Sequence, residues 1–163
     1  METIFAPWRM AYIRGEKAAG CFLCRDSLRE GELVVCEGDS GFVMMNRYPY
    51  TGGHLMVVPY RHTCCLGDLT PVERLELFAF QDLSVRVLTA AMSPTGFNIG
   101  MNLGKAAGAG VDDHLHIHVV PRWVGDTNFI SVIGEVRVIP EDVAGTADQL
   151  RPLFEKLRRE VCG

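Results

Sequence analysis

The chain has 163 residues, of which 48% are hydrophobic and 22% charged, a balance typical of a globular protein with enough chain for a core. The net charge of -4 argues against binding to nucleic acid polymers, which requires a basic surface. No apolar run approaches the roughly 18 residues that span a bilayer, and residues 1–20 lack the apolar segment of a signal peptide. We therefore expect one domain over residues 1–163, in the cytoplasm and not in a membrane.

The first half of the chain predicts short strands. Leu33–Glu37 and Gly41–Asn46 flank the turn sequence at residues 38–40 and predict a hairpin. A further apolar run, His54–Pro59, predicts a third strand after a loop.

A long helix follows. Thr70 is a typical N-cap, Pro71 suits the first helical position, and Glu73 completes a capping box. Apolar residues at 75, 78, 79, 83 and 87 fit helical spacing, so the helix is expected to run to about Ala91.

The second half predicts two more strands and a terminal helix. Gly96–Leu103 reads as a strand, Gly104–Gly110 as a loop of small residues, and Ser131–Ile139 as a strand or arm. The tail over Thr146–Glu160 predicts a helix with Pro152 near its first turn or at a kink. The order of elements indicates an α+β fold with a mainly antiparallel sheet.

Three of the five histidines of the chain, His114, His116 and His118, alternate with apolar residues. Alternation with period two is strand geometry, which places the three rings on one face. Neighbouring rings are then about 6.6 Å apart along the strand, and the outer two about 13 Å. A metal–nitrogen bond of about 2 Å cannot join all three to one ion, so at least one ring has another role.

The loop before the histidines favours phosphate chemistry. The small residues of Gly104–Gly110 let backbone N–H groups approach an anion. Backbone donors beside an imidazole suit phosphoryl chemistry, in which negative charge develops on the phosphate oxygens.

The histidine strand resembles the signature of the histidine triad (HIT) superfamily of nucleotide hydrolases and transferases. The resemblance covers about residues 20–122 and includes the segments Asn46–Pro49, Gly53–Pro59 and Gly96–Asn102. Phe5–Met10 and Pro121–Phe129 are similar to the prokaryotic branch often described as diadenosine tetraphosphate phosphorylases. The family implies a HIT-like sheet of about five strands, a long helix and a C-terminal helix, an N-terminal arm and a C-terminal extension, and a homodimer with the sheets joined edge to edge.

The resemblance implies an enzyme that acts on dinucleoside polyphosphates or on related nucleoside phosphoesters and phosphoramidates. His116 would be the nucleophile and form a covalent nucleotidyl-histidine, while His118 would donate to phosphate or leaving-group oxygens. A neutral imidazole is nucleophilic near pH 7, and a covalent step divides one displacement into two.

Other positions of the family motif imply a nucleotide site. Asn46 matches a ribose contact, Asn102 a phosphate contact, and Gly110 and Val111 are candidates for backbone donors. Relatives often have Gln-Ser or Gln-Thr where this chain has Ala109-Gly110, so a hydroxyl contact to the leaving group is missing or replaced.

Three further residues are open to two interpretations. Phe42 and Met44 suit a base pocket or the core, and His54 is expected to support the site geometry without acting in catalysis.

Cys21 and Cys24 form a CxxC motif, which is half of a zinc site. Zinc-containing HIT proteins complete the site with a histidine after the third strand and the first triad histidine, which here are His62 and His114. A closed Cys2His2 set implies structural zinc. A redox motif or simple buried thiols are the alternatives.

Two other functions remain open. One is a metal-dependent hydrolase in which His114 and His116 bind the ion and Asp112 or Asp113 supplies a further ligand. The other is a nucleotide-binding protein without catalysis.

Overall fold

Five strands form one antiparallel sheet in the order β1-β2-β3-β5-β4. The computed structural model describes residues 20–24, 33–108, 111–126 and 142–162. The strands are β1 (Val34–Glu37), β2 (Gly41–Met45), β3 (Leu55–Pro59), β4 (Gly96–Gly100) and β5 (Ile117–Arg122), and the helices are α1 (Pro71–Met92) and α2 (Val143–Cys162). The predicted α+β fold, with a five-stranded antiparallel sheet, one long helix and a C-terminal helix, is confirmed.

The β1–β2 hairpin is held against α1. The Glu76 carboxylate accepts hydrogen bonds from the backbone N–H groups of Asp39, at 2.9 Å, and of Ser40. A Cβ at Gly38 would lie 2.6 Å from the Phe80 ring and would also collide with the Glu76 carboxylate. The turn therefore needs glycine at this position to pack on the helix.

Helix α1 begins as its sequence predicts. The Thr70 hydroxyl accepts from the Glu73 N–H at 3.3 Å, and the Glu73 carboxylate accepts from the Thr70 N–H at 2.7 Å, which is a complete capping box. The helix ends at Met92, one residue beyond the prediction, where Ser93 adopts a left-handed conformation with φ of 49°.

The apolar residues of α1 divide between its exposed and its buried side. Leu75 and Phe78 are 73% and 70% exposed, whereas Leu77 and Phe80 are buried together with Val87. Nine residues, or two and a half turns, separate Phe78 from Val87, so the two side chains point to opposite sides of the helix.

The sheet separates two apolar clusters. The main core lies between the sheet and the two helices, and Leu115, Ile117 and Val119 belong to it. The opposite face carries a smaller cluster formed by Leu23, Phe42, Met44, Met56 and Val58. The three histidines alternate with the residues of the main core and so lie on the side of the smaller cluster.

Two predicted strands are shorter than expected. β4 ends at Gly100, not at Leu103, and β5 begins at Ile117, after His114 and His116. The segment before Ile117 leaves the ladder because the Leu115 N–H donates to the Thr63 carbonyl at 2.7 Å. Within the described part of the chain, the pairing of β4 therefore ends at the Gly100–His118 pair.

Helix α2 begins at Val143, three residues before the prediction, so Pro152 lies in the middle of the helix and not in its first turn. The helix also covers the β1 edge of the sheet, because Arg151 donates to the Val34 carbonyl at 2.9 Å and Arg158 donates to the Glu37 carbonyl. The predictions for Ser131–Ile139 and for the N-terminal arm lie outside the described residues. Neither described helix is long and apolar enough to cross a lipid bilayer.

Candidate active site and metal cluster

A backbone donor determines the tautomers of two histidines in the site. The Tyr50 N–H donates to Nδ1 of His54 at 3.0 Å, so the proton of the neutral His54 ring is on Nε2. His54 Nε2 lies 3.0 Å from Nδ1 of His118 and donates to it. Nδ1 of His118 is therefore an acceptor, and the ring carries its own proton on Nε2.

His54 is fully buried, and its pKa is lowered to about 3. Burial is the main cause, and the nearby rings of His118 and His116 add to it. The His54 ring therefore stays neutral at physiological pH. In its hydrogen bonds with Tyr50 and with His118 the roles are then fixed: the Tyr50 N–H donates to His54, and His54 donates to His118.

His116 has the hydrogen bonding expected of a nucleophile. Its Nδ1 lies 2.9 Å from the His114 carbonyl oxygen, which can only accept, so the Nδ1 proton is donated and the Nε2 lone pair is left for reaction. Burial lowers the pKa of His116, and the hydrogen bond to His114 partly opposes this effect. The ring of His118 lies beside it, with ring centroids 4.9 Å apart.

A cavity of about 530 Å³ opens beside His118, over the face of β5 and β4 that carries His118. Asn102 lines this cavity together with His118, so the structure brings this predicted phosphate contact to the triad. Lys105–Ala107 form a short 3-10 turn in the preceding loop, and Ala107 and Gly108 also line the cavity.

Asn46, another predicted nucleotide contact, lies beside His54. The Asn46 amide nitrogen lies 3.4 Å from both ring nitrogens of His54, and its carbonyl oxygen accepts from the Tyr48 N–H at 2.9 Å. Val111 is partly buried beside the smaller apolar cluster. Gly110 lies outside the described residues.

Phe42 and Met44 are 0% and 5% exposed and pack within the smaller cluster. Phe42 stacks on Tyr60 with ring centroids 5.5 Å apart. Both residues therefore contribute to the core of this face.

Four side chains that are distant in sequence form a candidate metal cluster: Cys21, Cys24, His62 and His114. Their ligand atoms all lie within 4.8 Å of one another. The Sγ of Cys24 is 3.3 Å from Nδ1 of His62 and 3.8 Å from Nδ1 of His114, and the Sγ of Cys21 is 3.3 Å from the same His114 nitrogen. Tetrahedral zinc with Zn–S and Zn–N bonds of ordinary length separates its ligand atoms by about 3.3–3.8 Å, so the donor set fits a closed metal site.

The hydrogen bonds around the cluster also fit metal binding. Nε2 of His114 lies 2.9 Å from the Pro59 carbonyl oxygen and donates to it, which leaves the Nδ1 lone pair facing the cysteines. His62 likewise presents Nδ1 to the cluster, while its Nε2 lies 4.0 Å from the Asp113 carboxylate.

All five histidines of the chain thus lie in the candidate active site or in the candidate metal cluster: His54, His62, His114, His116 and His118. His116 does not belong to the metal-ligating group found among the described residues. Asp112 lies 3.7 Å from the Lys105 ammonium group. This arrangement gives no support to a site in which His114 and His116 share a catalytic ion with Asp112.

Two residues of the site were underrated by sequence reasoning. His54 controls the tautomer of His118, although only its position after Gly53 in the family motif hinted at a role. Arg122 lines the cavity, and its position two and four residues after Val120 and His118 on one strand face was the available signal.

Comparisons with known proteins agree with this geometry. Residues 29–124 match the family model of the HIT domain. A protein of Mycobacterium tuberculosis named AP-4-A phosphorylase is 52% identical, over 86% of this chain and 78% of its own length.

Two solved structures extend the comparison. A Zn-bound histidine triad family protein from Mycobacterium smegmatis is 29% identical with a TM-score of 0.63, over 78% of this chain and 86% of its own. A hypothetical histidine triad nucleotide-binding protein from Sulfolobus tokodaii is 26% identical with a TM-score of 0.69, over 86% of this chain and 96% of its own.

Proposed function

Because the chain belongs to the HIT domain family, we propose that it transfers a nucleotidyl group from dinucleoside polyphosphates such as diadenosine tetraphosphate, through a covalent intermediate on His116. The observation that carries this proposal is the hydrogen bond from Nδ1 of His116 to the His114 carbonyl, which directs the Nε2 lone pair to the reaction. The 52% identity to a protein named AP-4-A phosphorylase supports the choice of substrate.

In the first step, the Nε2 lone pair of His116 attacks the α-phosphorus of the substrate. A P–N bond forms while the bond from this phosphorus to its bridging oxygen breaks, and that oxygen keeps the electron pair. With diadenosine tetraphosphate, ATP leaves and an adenylyl group stays on the ring. The Nε2–H of His118 donates a hydrogen bond to the oxygens on which charge develops, which is the main way that proteins stabilise phosphoryl transfer.

In the second step, an acceptor attacks the same phosphorus and the P–N bond breaks, so His116 recovers its lone pair. We propose inorganic phosphate as the acceptor, in line with the name of the mycobacterial relative; the products are then ADP and ATP. Water as the acceptor would give AMP and ATP.

We further propose that the Cys2His2 cluster binds zinc with a structural role. Bound zinc would provide a cross-link without redox chemistry. Cys21 and Cys24 would hold residues 20–24 to His62 and to His114, whose carbonyl oxygen accepts the hydrogen bond from the His116 ring. Reduced thiols at this site favour a reducing compartment such as the cytoplasm.

A homodimer through the β4 edge is the arrangement that we propose for the subunits. Helix α2 covers the β1 edge, whereas Asn98, Ile99 and Gly100 at the β4 edge are exposed. Apolar residues at an exposed edge favour association. An Ile99→Asp variant is expected to shift the protein from dimer to monomer in light scattering, while a Val124→Asp variant, at another exposed apolar position, is expected to leave it dimeric.

The test of the nucleophile is a mass spectrum of the protein after incubation with diadenosine tetraphosphate. We expect an adenylyl adduct that is lost in His116→Ala and kept in Lys156→Ala, which changes an exposed residue of α2. Turnover with and without phosphate then identifies the acceptor from the products.

The alternatives give different results. Normal turnover by His116→Ala, combined with loss of turnover on chelation, would support the metal-dependent hydrolase. Nucleotide binding without turnover by the unmodified protein would support a binding protein.

A further inference from the structure

The cavity beside His118 extends along one face of β5. His118, Val120 and Arg122 are alternate residues of this strand and all line the cavity. Four residues of strand separate the first from the last, which corresponds to about 13 Å. The cavity is therefore long enough to hold several linked phosphates and not only the phosphate that reacts.

Arg122 is the only charged residue among those that line the cavity in the described part of the chain. Its Nε and one terminal nitrogen donate to the two oxygens of Asp126, and its other terminal nitrogen donates to the Asn98 side chain at 2.8 Å. Asn98 also lines the cavity, whereas Asp126 does not. These bonds hold the guanidinium group in one orientation, with its Asn98 side towards the cavity.

The cavity lies on the side of the reacting phosphorus to which the leaving group of the proposed reaction would extend. Asn46, the predicted ribose contact, lies at the end of β2 and contacts His54, while the cavity lies on the β4 side of His118. Attack by His116 in line with the departing oxygen places the leaving group on the side of the phosphorus opposite to the His116 ring. The cavity runs from His118 to Arg122, away from His116, so a leaving group opposite His116 extends into the cavity.

We propose that this cavity is the subsite for the leaving nucleoside polyphosphate, and that Arg122 binds its distal phosphates. The subsite rests on the proposed nucleotidyl transfer and adds a specificity residue to it. A planar guanidinium group recognises phosphate oxygens through paired N–H donors. The acceptor phosphate has to reach the α-phosphorus at His116, so a cation at the far end of the cavity serves the leaving group and not the acceptor.

The experiment compares two substrates that share the adenylyl group. Diadenosine tetraphosphate has distal phosphates, whereas the 4-nitrophenyl ester of AMP has none. For Arg122→Met we expect kcat/KM for diadenosine tetraphosphate to fall about 10- to 100-fold, which is typical of a lost hydrogen bond to a charged group. For the ester we expect a change of less than about twofold, because no group of the ester reaches Arg122.

Two control variants distinguish phosphate binding from a structural role. Asp126→Asn keeps the guanidinium group, keeps a carbonyl oxygen as acceptor and removes the charge of a partly exposed ion pair, so its loss with diadenosine tetraphosphate is expected to stay within about fivefold. Lys156→Met removes a positive charge on the opposite side of the sheet and is expected to match the wild type with both substrates. Arg122→Lys, which keeps the charge, is expected to recover part of the loss.

Several results would overturn the subsite. These are an equal loss with both substrates, no loss with either, an Asp126→Asn defect as large as that of Arg122→Met, or a rise in KM for inorganic phosphate alone. Failure of the proposed function has a separate signature, since the wild type would then turn over neither substrate.

Discussion

His54 is expected to lower the free energy of unfolding of this protein as the pH falls. Replacement of His54 by glutamine is expected to remove this contribution. The ring is fully buried, and its pKa is about 3, against about 6.5 for an exposed histidine. Between these two values the unfolded chain binds one proton more than the folded chain at this site. The free energy of unfolding therefore falls as the pH is lowered through this window, beginning near pH 6.5.

The magnitude follows from the two pKa values. One proton corresponds to about 1.4 kcal/mol for each pH unit within the window. From pH 7 to pH 5 the wild type loses about 2 kcal/mol through His54 alone, because most of the titration of the unfolded chain lies in this interval. This loss is a large part of the stability of a typical domain.

The assay is urea unfolding of the wild type and of His54→Gln at pH 7, 6 and 5. The glutamine amide offers an acceptor for the Tyr50 N–H and a donor for His118, but it does not titrate in this range. All other titrating groups, including those of the metal cluster, are shared by the two proteins. Their contributions cancel in the difference, and the wild type should lose about 2 kcal/mol more than the variant.

Parallel stability curves for the two proteins would refute the reasoning. They would show that folding does not lower the pKa of His54, so the ring would be protonated at pH 5 in the folded protein and its Nε2 proton could not be attributed to a ring that stays neutral. The direction of the hydrogen bonds from Tyr50 to His118 would then be lost as an explanation of how His118 donates to phosphate.

Three further predictions concern the cluster and the fold. Cys24→Ser should lower the melting temperature and the zinc content measured by atomic absorption, and chelation should remove this difference; a variant with full zinc and unchanged melting would contradict the cluster. Thr70→Ala should lower the free energy of unfolding in urea by about 1 kcal/mol, because it removes the N-cap of α1. Thr95→Ala serves as control, because the Thr95 hydroxyl donates to the backbone carbonyl of Arg122 and does not cap a helix. Gly53→Ala should cost about 1–3 kcal/mol in the same assay, because φ is +75° and the new Cβ would lie 2.7 Å from the Met92 sulfur; a neutral result would show that this turn can relax.

Local patterns were sufficient for several elements of the fold. The capping box of α1 was readable because its two hydrogen bonds join residues three positions apart. The alternation around His116 was readable because side-chain direction in an extended segment depends only on the backbone. The buried face of α1 was not readable from the sequence, because the stripes through Phe78 and through Phe80 are both apolar. Only packing against the sheet decides which stripe is covered.

The sequence by itself determined the HIT resemblance, the antiparallel α+β class and the alternation of the three histidines with apolar residues, since these follow from residues that are neighbours along the chain. Only the tertiary structure decided what each ring does. His54 orients His118 across 64 positions, Cys21 meets His114 across 93, and Arg122 faces the same cavity as Asn98 because β4 pairs with β5. Tautomers and ligand sets depend on which atoms lie within about 3–4 Å, and in this protein those atoms come from segments that only folding brings together.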